Sequence, residues 1–189
     1  SMAHGRDEDR RIERVAAQFQ TTLQSLSGAM STIALRESLQ RLALMDELTG
    51  LPNRRAFTNS AQRAVAVARR SGEDLAVAMI DVDHFKRIND THGHAVGDDV
   101  IRHVGHRIQQ NVRNFDSIAR WGGEEFLVAM PDAGQEVALM VAERLRRVIA
   151  NSPLRPPSGP PGLELGVTVS VGVSVIAGPE DKPEEALRR

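Results

Sequence analysis

Two short stretches of this sequence carry the residue types that could do chemistry. Asp81-Val82-Asp83, with Lys86 close behind, offers carboxylates and an ammonium; Gly122-Gly123-Glu124-Glu125 offers two more carboxylates behind a glycine pair. Taken singly these are weak signals. An Asp-x-Asp usually marks a solvated strand end, and a lone lysine is an ordinary surface residue. Gathered at the ends of neighbouring strands, however, the carboxylates would repel one another unless a cation neutralised them. Hard oxygen donors without any cysteine favour Mg²⁺ (or Mn²⁺), and Mg²⁺ commonly brings the phosphates of a nucleotide. His92 and His94 could suggest a separate metal pair, but the carboxylates lie elsewhere and no thiolate is present. His103 and His106 read as exposed helix positions with no task. Asn89, Asp90 and Asp98, read alone, are helix caps or loop residues.

The elements that must position these residues follow from periodicity. Asn53 can cap a helix over 54–70, after Gly50 and Pro52 have stopped whatever precedes them. The apolar run 75–81 is a strand, and 97–112 reads as a helix. Strands at 117–121 and 125–130 meet at Gly122-Gly123, a dipeptide suited to a tight hairpin. A helix over 133–150 carries Ala138, Val141, Ala142, Leu145 and Ile149 on one face. A loop rich in Pro and Gly follows at 151–162, and the alternation of Val167, Val169, Val171, Val173 and Val175 predicts a strand over 165–175. The order βαββαβ predicts an α+β fold, a ferredoxin-like or palm sheet with flanking helices. Right-handed crossovers then make the first strand a central, antiparallel neighbour of the third, which sets Asp81 beside Glu124.

Ahead of this domain, Ile12, Val15, Phe19, Thr22, Leu26, Ala29 and Ile33 recur at steps of three and four, the period of a coiled coil. The stripe slips after Ile33 and resumes at Leu35, Leu39 and Leu42, a phase break. Residues 1–45 are therefore expected to form a helical arm, about 50 Å long from Ile12 to Leu44 at 1.5 Å per residue. The arm either dimerises and carries a signal or folds back on its own domain, residues 46–189. The 189 residues balance 24 Lys+Arg against 25 Asp+Glu, for a net charge of -1. So even a balance argues against a protein that grips nucleic acid by bulk charge. No cysteine suits a reducing compartment, and the longest apolar run is too short for a membrane span. A soluble, cytoplasmic protein is expected.

Several ordered blocks carry a resemblance. They are Asp46-Glu47-Leu48-Thr49-Gly50-Leu51-Pro52-Asn53-Arg54-Arg55, then Asp81 to Asp90 with Gly93-His94, then Arg120-Trp121-Gly122-Gly123-Glu124-Glu125-Phe126. From Asp46 to Arg189 the chain resembles the GGDEF family, the diguanylate cyclases, in its Gly-Gly-Glu-Glu-Phe form. The resemblance implies that Asp81, Glu124 and the carbonyl of Val82 hold Mg²⁺. Glu124 would also deprotonate the attacking 3′-hydroxyl of GTP. Backbone N–H groups after Asp83, with Lys86, would cradle the β- and γ-phosphates. Asn89 and Asp98 would read the guanine edge, with His94 in the same substrate segment.

The family pattern also gives a meaning to Arg113-Asn114-Phe115-Asp116, otherwise a common charged turn. At this offset Arg113 and Asp116 resemble a product-binding inhibitory site. Arg144 resembles the second arginine, which that site borrows from a neighbouring domain. Two planar guanidinium forks and a carboxylate suit a cyclic guanine dinucleotide. Pro183 would open a helix that stops after barely two turns, where family members continue with basic residues and a final strand; the chain reads as cut short. The implied function is condensation of two GTP into cyclic di-GMP by a homodimer with product inhibition. A cyclic di-GMP receptor without catalysis and a purely structural dimerisation module are the alternatives.

Overall fold

The computed structural model describes Met30 and residues 43–176; the coiled-coil period and the helix expected from Pro183 lie outside them. The described domain opens on a turn closed by its own side chains. Asp46 accepts hydrogen bonds from the Thr49 N–H (2.9 Å) and the Thr49 hydroxyl (2.7 Å). Gly50, at φ 69°, takes the left-handed backbone that the turn requires. Asn53 then caps α1 (Arg54–Ser71) by accepting the Ala56 N–H at 3.0 Å.

Strand β1 (Leu75–Val82) is nearly all apolar because both its faces are covered. It lies between β3 (Glu125–Pro131) and β4 (Val169–Ile176), with β2 (Ser117–Arg120) beyond β3, and every neighbouring pair is antiparallel. Alternate residues sort to opposite faces. Ala76, Ala78, Ile80 and Val82 join a core with Val100, Ile101 and Val104 of α3 (His94–Gln110) and Val141, Leu145 and Ile149 of α4 (Gln135–Ala150). Leu75 and Val77 face Phe57 and Val65 of α1 on the other side. The expected βαββαβ sheet is the one observed.

Three local expectations need correction. An extra helix, α2 (Phe85–His92), stands between β1 and α3, and Gly93 at φ 86° separates the two. It buries no residue fully, and its only apolar contacts with the core are the half-buried Phe85 and Ile88, a pair too short for periodicity to find. Strand β4 starts at Val169 rather than 165; Leu165 instead exchanges two 2.8 Å backbone hydrogen bonds with Leu154, closing the Pro-rich loop on itself. His103 is half-buried, not exposed, and its Nε2 lies 2.9 Å from the Ser152 carbonyl. Burial and the positive field of Arg107 and His106 push its pKa down, against the hydrogen bond to that carbonyl. None of the described helices is long and apolar enough to cross a membrane.

Leu51, 2% exposed, packs its side chain where Gly105 of α3 has none; a Cβ there would stand 3.1 Å from Leu51 Cδ1. The opening turn is thus seated in the main core. Leu51→Ala should destabilise the domain by about 2–5 kcal/mol, as buried leucines do. The measurement is a urea unfolding curve, with a lower midpoint at unchanged slope expected. A loss below about 1 kcal/mol would show that the turn is not anchored through this residue.

Candidate active site

The register of the central strands brings the two acidic motifs together. Asp81 pairs with Glu125, and the Val82 N–H donates to the Glu124 carbonyl at 3.2 Å. Asp81 and Glu124 are half-buried at this end of the sheet, and among the described residues neither has a hydrogen-bond donor or an ion-pair partner. Burial raises the pKa of Asp81, and the charge of Asp83 raises it further. Burial likewise raises that of Glu124, with Asp81 and Glu125 adding to the effect. Asp83 behaves in the opposite way. Hydrogen bonds from the Ser170 and Thr168 hydroxyls, each 2.7 Å, hold its carboxylate below the usual range despite partial burial. Its N–H also donates to the Thr168 carbonyl, at 3.0 Å.

The turn that carries Glu124 is held from outside. Trp121 and Gly122 donate their N–H groups to the Glu125 carbonyl, at 2.8 and 3.3 Å. Neither Gly122 nor Gly123 adopts a positive φ, so this is not the tight primed turn that the dipeptide suggests. The glycines matter instead for their missing side chains. The Glu125 carboxylate lies over Gly122 where a Cβ would stand, and a Cβ on Gly123 would meet only open space. Arg120 donates from Nε to the Gly122 carbonyl (3.2 Å), from Nη2 to the Gly123 carbonyl (2.7 Å), and from Nη1 to both oxygens of Asp46 (3.2 and 3.1 Å). Trp121 is clamped by Arg54, 4.5 Å from its ring centroid, and edge-on by Phe57 at 6.0 Å.

Beside the carboxylates, the chain leaves β1 through His84, whose φ of 58° is left-handed. This sharp reversal aims the start of α2 at the site with no side chain capping it. Free N–H groups and the positive end of a helix form an anion cradle. Lys86 is exposed there and has no ion pair among the described residues. The side chain of Asn89 reaches back against Gly97, where its buried Oδ1 finds no donor; Asp98, the next residue of α3, is exposed. His94 is exposed at the start of α3.

No three His, Cys, Asp or Glu side chains among the described residues could hold a metal alone. Two unneutralised carboxylates nonetheless fit a hard divalent cation that completes its shell with water and phosphate oxygens. Sequence reasoning named these two but missed Arg120, Asp46, Trp121 and His84. Arg120 and Asp46 are 74 residues apart, a pairing that opposite charge alone does not reveal.

The second motif lies at the other end of β2. Asp116 Oδ2 accepts the Arg113 N–H at 2.8 Å and closes the turn, while its enclosed Oδ1 has no donor among the described residues. Arg144 Nη2 donates to the Asn111 carbonyl at 2.8 Å, so this arginine stands beside the Arg113 loop in the same chain.

Because the pKa values of Asp81 and Glu124 are raised on folding, their contribution to stability is full below the ordinary carboxylate range and is lost as pH rises through the raised values. Asp81→Asn at neutral pH in EDTA should therefore raise the thermal midpoint. Added Mg²⁺ should raise that of the parent and leave the variant unmoved. A parent that ignores Mg²⁺, or a destabilised variant, would remove the cation site.

Comparison with known proteins sets this geometry in a family. Residues 43–189 match the model described as diguanylate cyclase, GGDEF domain. The chain is 45% identical over 148 residues to the response regulator PleD of Caulobacter vibrioides, covering 78% of this chain and 32% of that protein. It is 35% identical to the diguanylate cyclase DgcP of Pseudomonas aeruginosa, over 98% of this chain and 29% of that one. It thus spans about a third of the length of these curated relatives. Among solved structures, the coiled coil and GGDEF domain of DgcB from Caulobacter crescentus, in complex with c-di-GMP, superposes with a TM-score of 0.80 at 31% identity, covering 88% of this chain and 86% of that one. With its palm-like sheet, its Gly-Gly-Glu-Glu-Phe turn and these relatives, the chain belongs to the diguanylate cyclase GGDEF family.

Proposed function

We propose that this domain, in a cytoplasmic homodimer, condenses two GTP into cyclic di-GMP with release of two pyrophosphates. The observation that carries the reading is the pair of unneutralised carboxylates, Asp81 and Glu124, pinned together at the strand ends beside the uncapped start of α2. Asp81, Glu124 and the Val82 carbonyl would hold Mg²⁺, which would polarise the α-phosphoryl group and lower the pKa of a bound hydroxyl. The N–H groups opening α2 would take the β- and γ-phosphates, with Lys86 as a point charge against them. Asn89 and Asp98 would match the donors and acceptors of the guanine edge, with His94 near by. Glu124 would take the proton of the 3′-hydroxyl. Each subunit would bring one GTP, whose hydroxyl attacks the α-phosphorus held by the other. The coiled-coil period of the arm supports that encounter.

The Arg113 turn supports feedback from a second site. Strand β2 runs antiparallel to β3, so its four residues put Arg113 and Asp116 roughly 13 Å of strand away from the Gly-Gly turn. Product held by Arg113, Asp116 and Arg144 would then act from a distinct place, as allostery requires.

Glu124→Gln should lower synthesis of cyclic di-GMP at least about a hundredfold, the low end of what a lost acid or base costs, while leaving the far-ultraviolet circular dichroism unchanged. Incubation with GTP and Mg²⁺ and identification of the product tests both enzyme and residue. Synthesis at the parent's rate would dismiss Glu124 from the reaction, and a parent that forms no dinucleotide would dismiss the enzyme. In progress curves, Arg113→Ala should need about ten- to hundredfold more product before it stalls, as expected for losing one charged hydrogen bond. Stalling at the same concentration would leave the motif a charged turn.

A further inference from the structure

Phe115 is the residue of the Arg113 turn that no chemistry has so far used. Its ring is 60% exposed, although an aromatic side chain gains much by burial. Nothing in the turn requires it: Asp116 closes the loop through the Arg113 N–H, and the Asp116 N–H returns to the Arg113 carbonyl at 3.0 Å. What the ring does touch is the guanidinium of Arg113, whose central carbon stands 5.5 Å from the ring centroid. A guanidinium over an aromatic face is held by the ring quadrupole and by flat contact. Elsewhere in the domain an arginine in such a place has a structural partner, as Arg54 does on the clamped Trp121. Here both members are exposed and nothing covers them among the described residues.

We propose that Phe115 is a positioning residue of the product site: it holds Arg113 over its ring, so that the outer side of the guanidinium offers a stacking surface to a purine of a cyclic dinucleotide. This rests on the product-site reading above and adds to its guanidinium forks and carboxylate a stacking contact with the face of the base. An arginine free in water samples many rotamers, and binding must freeze them. The ring does part of that in advance. Flat cations and aromatic faces are also the surfaces on which nucleobases stack. Arg144, fixed on the Asn111 carbonyl next to the same loop, leaves further donors for the phosphates.

The test is calorimetric titration of cyclic di-GMP into the full chain carrying Glu124→Gln, so that no turnover confuses the heat. Phe115→Leu keeps an apolar side chain at an exposed position and removes the ring. It should weaken binding about two- to fivefold, the range of a surface cation–π contact. Phe115→Trp should restore affinity, which a merely structural residue would not require. Arg113→Ala is the control for the site itself. If Phe115→Leu binds as tightly as the parent while Arg113→Ala loses its affinity, the ring is a bystander and the proposal falls with the site intact. Failure of Phe115→Trp to restore binding overturns it too. If Arg113→Ala binds like the parent, the product-site reading falls and takes this proposal with it.

Discussion

The geometry of the acidic end depends on one guanidinium. Arg120 reaches in two directions, to the Gly122 and Gly123 carbonyls on one side and to both oxygens of Asp46 on the other. The carbonyls belong to the turn that carries Glu124, and the carboxylate belongs to the turn that opens the domain. Lysine could not replace it, because a point charge cannot serve four acceptors in a plane. Burial works against ionised Asp46, but the Thr49 hydroxyl and N–H, together with Arg120, outweigh it and hold the carboxyl below its usual range. Both partners are largely shielded, at 17% and 21% exposure, so the pair escapes most of the screening that weakens surface ion pairs. The Arg120 N–H, donating to the Pro52 carbonyl at 3.0 Å, adds a backbone rivet at the same place.

That arrangement ties the turn that opens the domain to the turn that carries Glu124. Asp46, Pro52, Arg54 and Phe57 all act on the two residues before the glycines: the first pair on Arg120, the second on Trp121. The outer edge of β2 is closed by the same stretch, through a parallel bridge between Asn53 and Arg120. An exposed strand edge is thereby covered as well. A displacement of the opening turn would have to move the Gly-Gly turn or break Arg120 from one of its two sets of acceptors. Leu51, locked against Gly105 in the main core, resists that displacement.

Much of the frame was legible in the sequence because it rests on local period and on handedness. The apolar run at 75–81, the valine alternation in β4 and the βαββαβ order determine the neighbours of each strand, and the neighbours determine that Asp81 meets the start of β3. What was not legible depends on backbone dihedrals or on distant pairs. The left-handed His84 creates the uncapped start of α2, and a histidine, though enriched among the few non-glycine residues at positive φ, adopts it too rarely to mark the place. Helix α2 is eight residues long and turns only Phe85 and Ile88 toward the core, too short a stripe for periodicity to find. His103 looks like a surface residue until the Pro-rich loop brings the Ser152 carbonyl across to it. The loop itself is drawn in by Asp99, buried in α3, which accepts the Ser158 N–H at 2.9 Å.

The most instructive case is Asp81-Val82-Asp83, since one motif contains two carboxylates with opposite environments. Asp81 lies in β1 and Asp83 in the turn just after it, so spacing in the sequence alone cannot distinguish them. The distinction comes from β4. Its start supplies Thr168 and Ser170, whose hydroxyls serve Asp83 and leave Asp81 without a donor. Asp83 is thereby stabilised in its charged form and fastens the chain as it turns toward α2. Burial raises the pKa of both Asp81 and Glu124, and repulsion from the neighbouring carboxylates adds to it. Environments that push adjacent carboxyls apart in this way assign them different tasks. An anchoring carboxylate needs its partners in the fold; a ligating one must be left without them, at some expense in stability, until a cation arrives. On this ground Asp83 belongs to the scaffold, and the proposed cation site is Asp81 with Glu124.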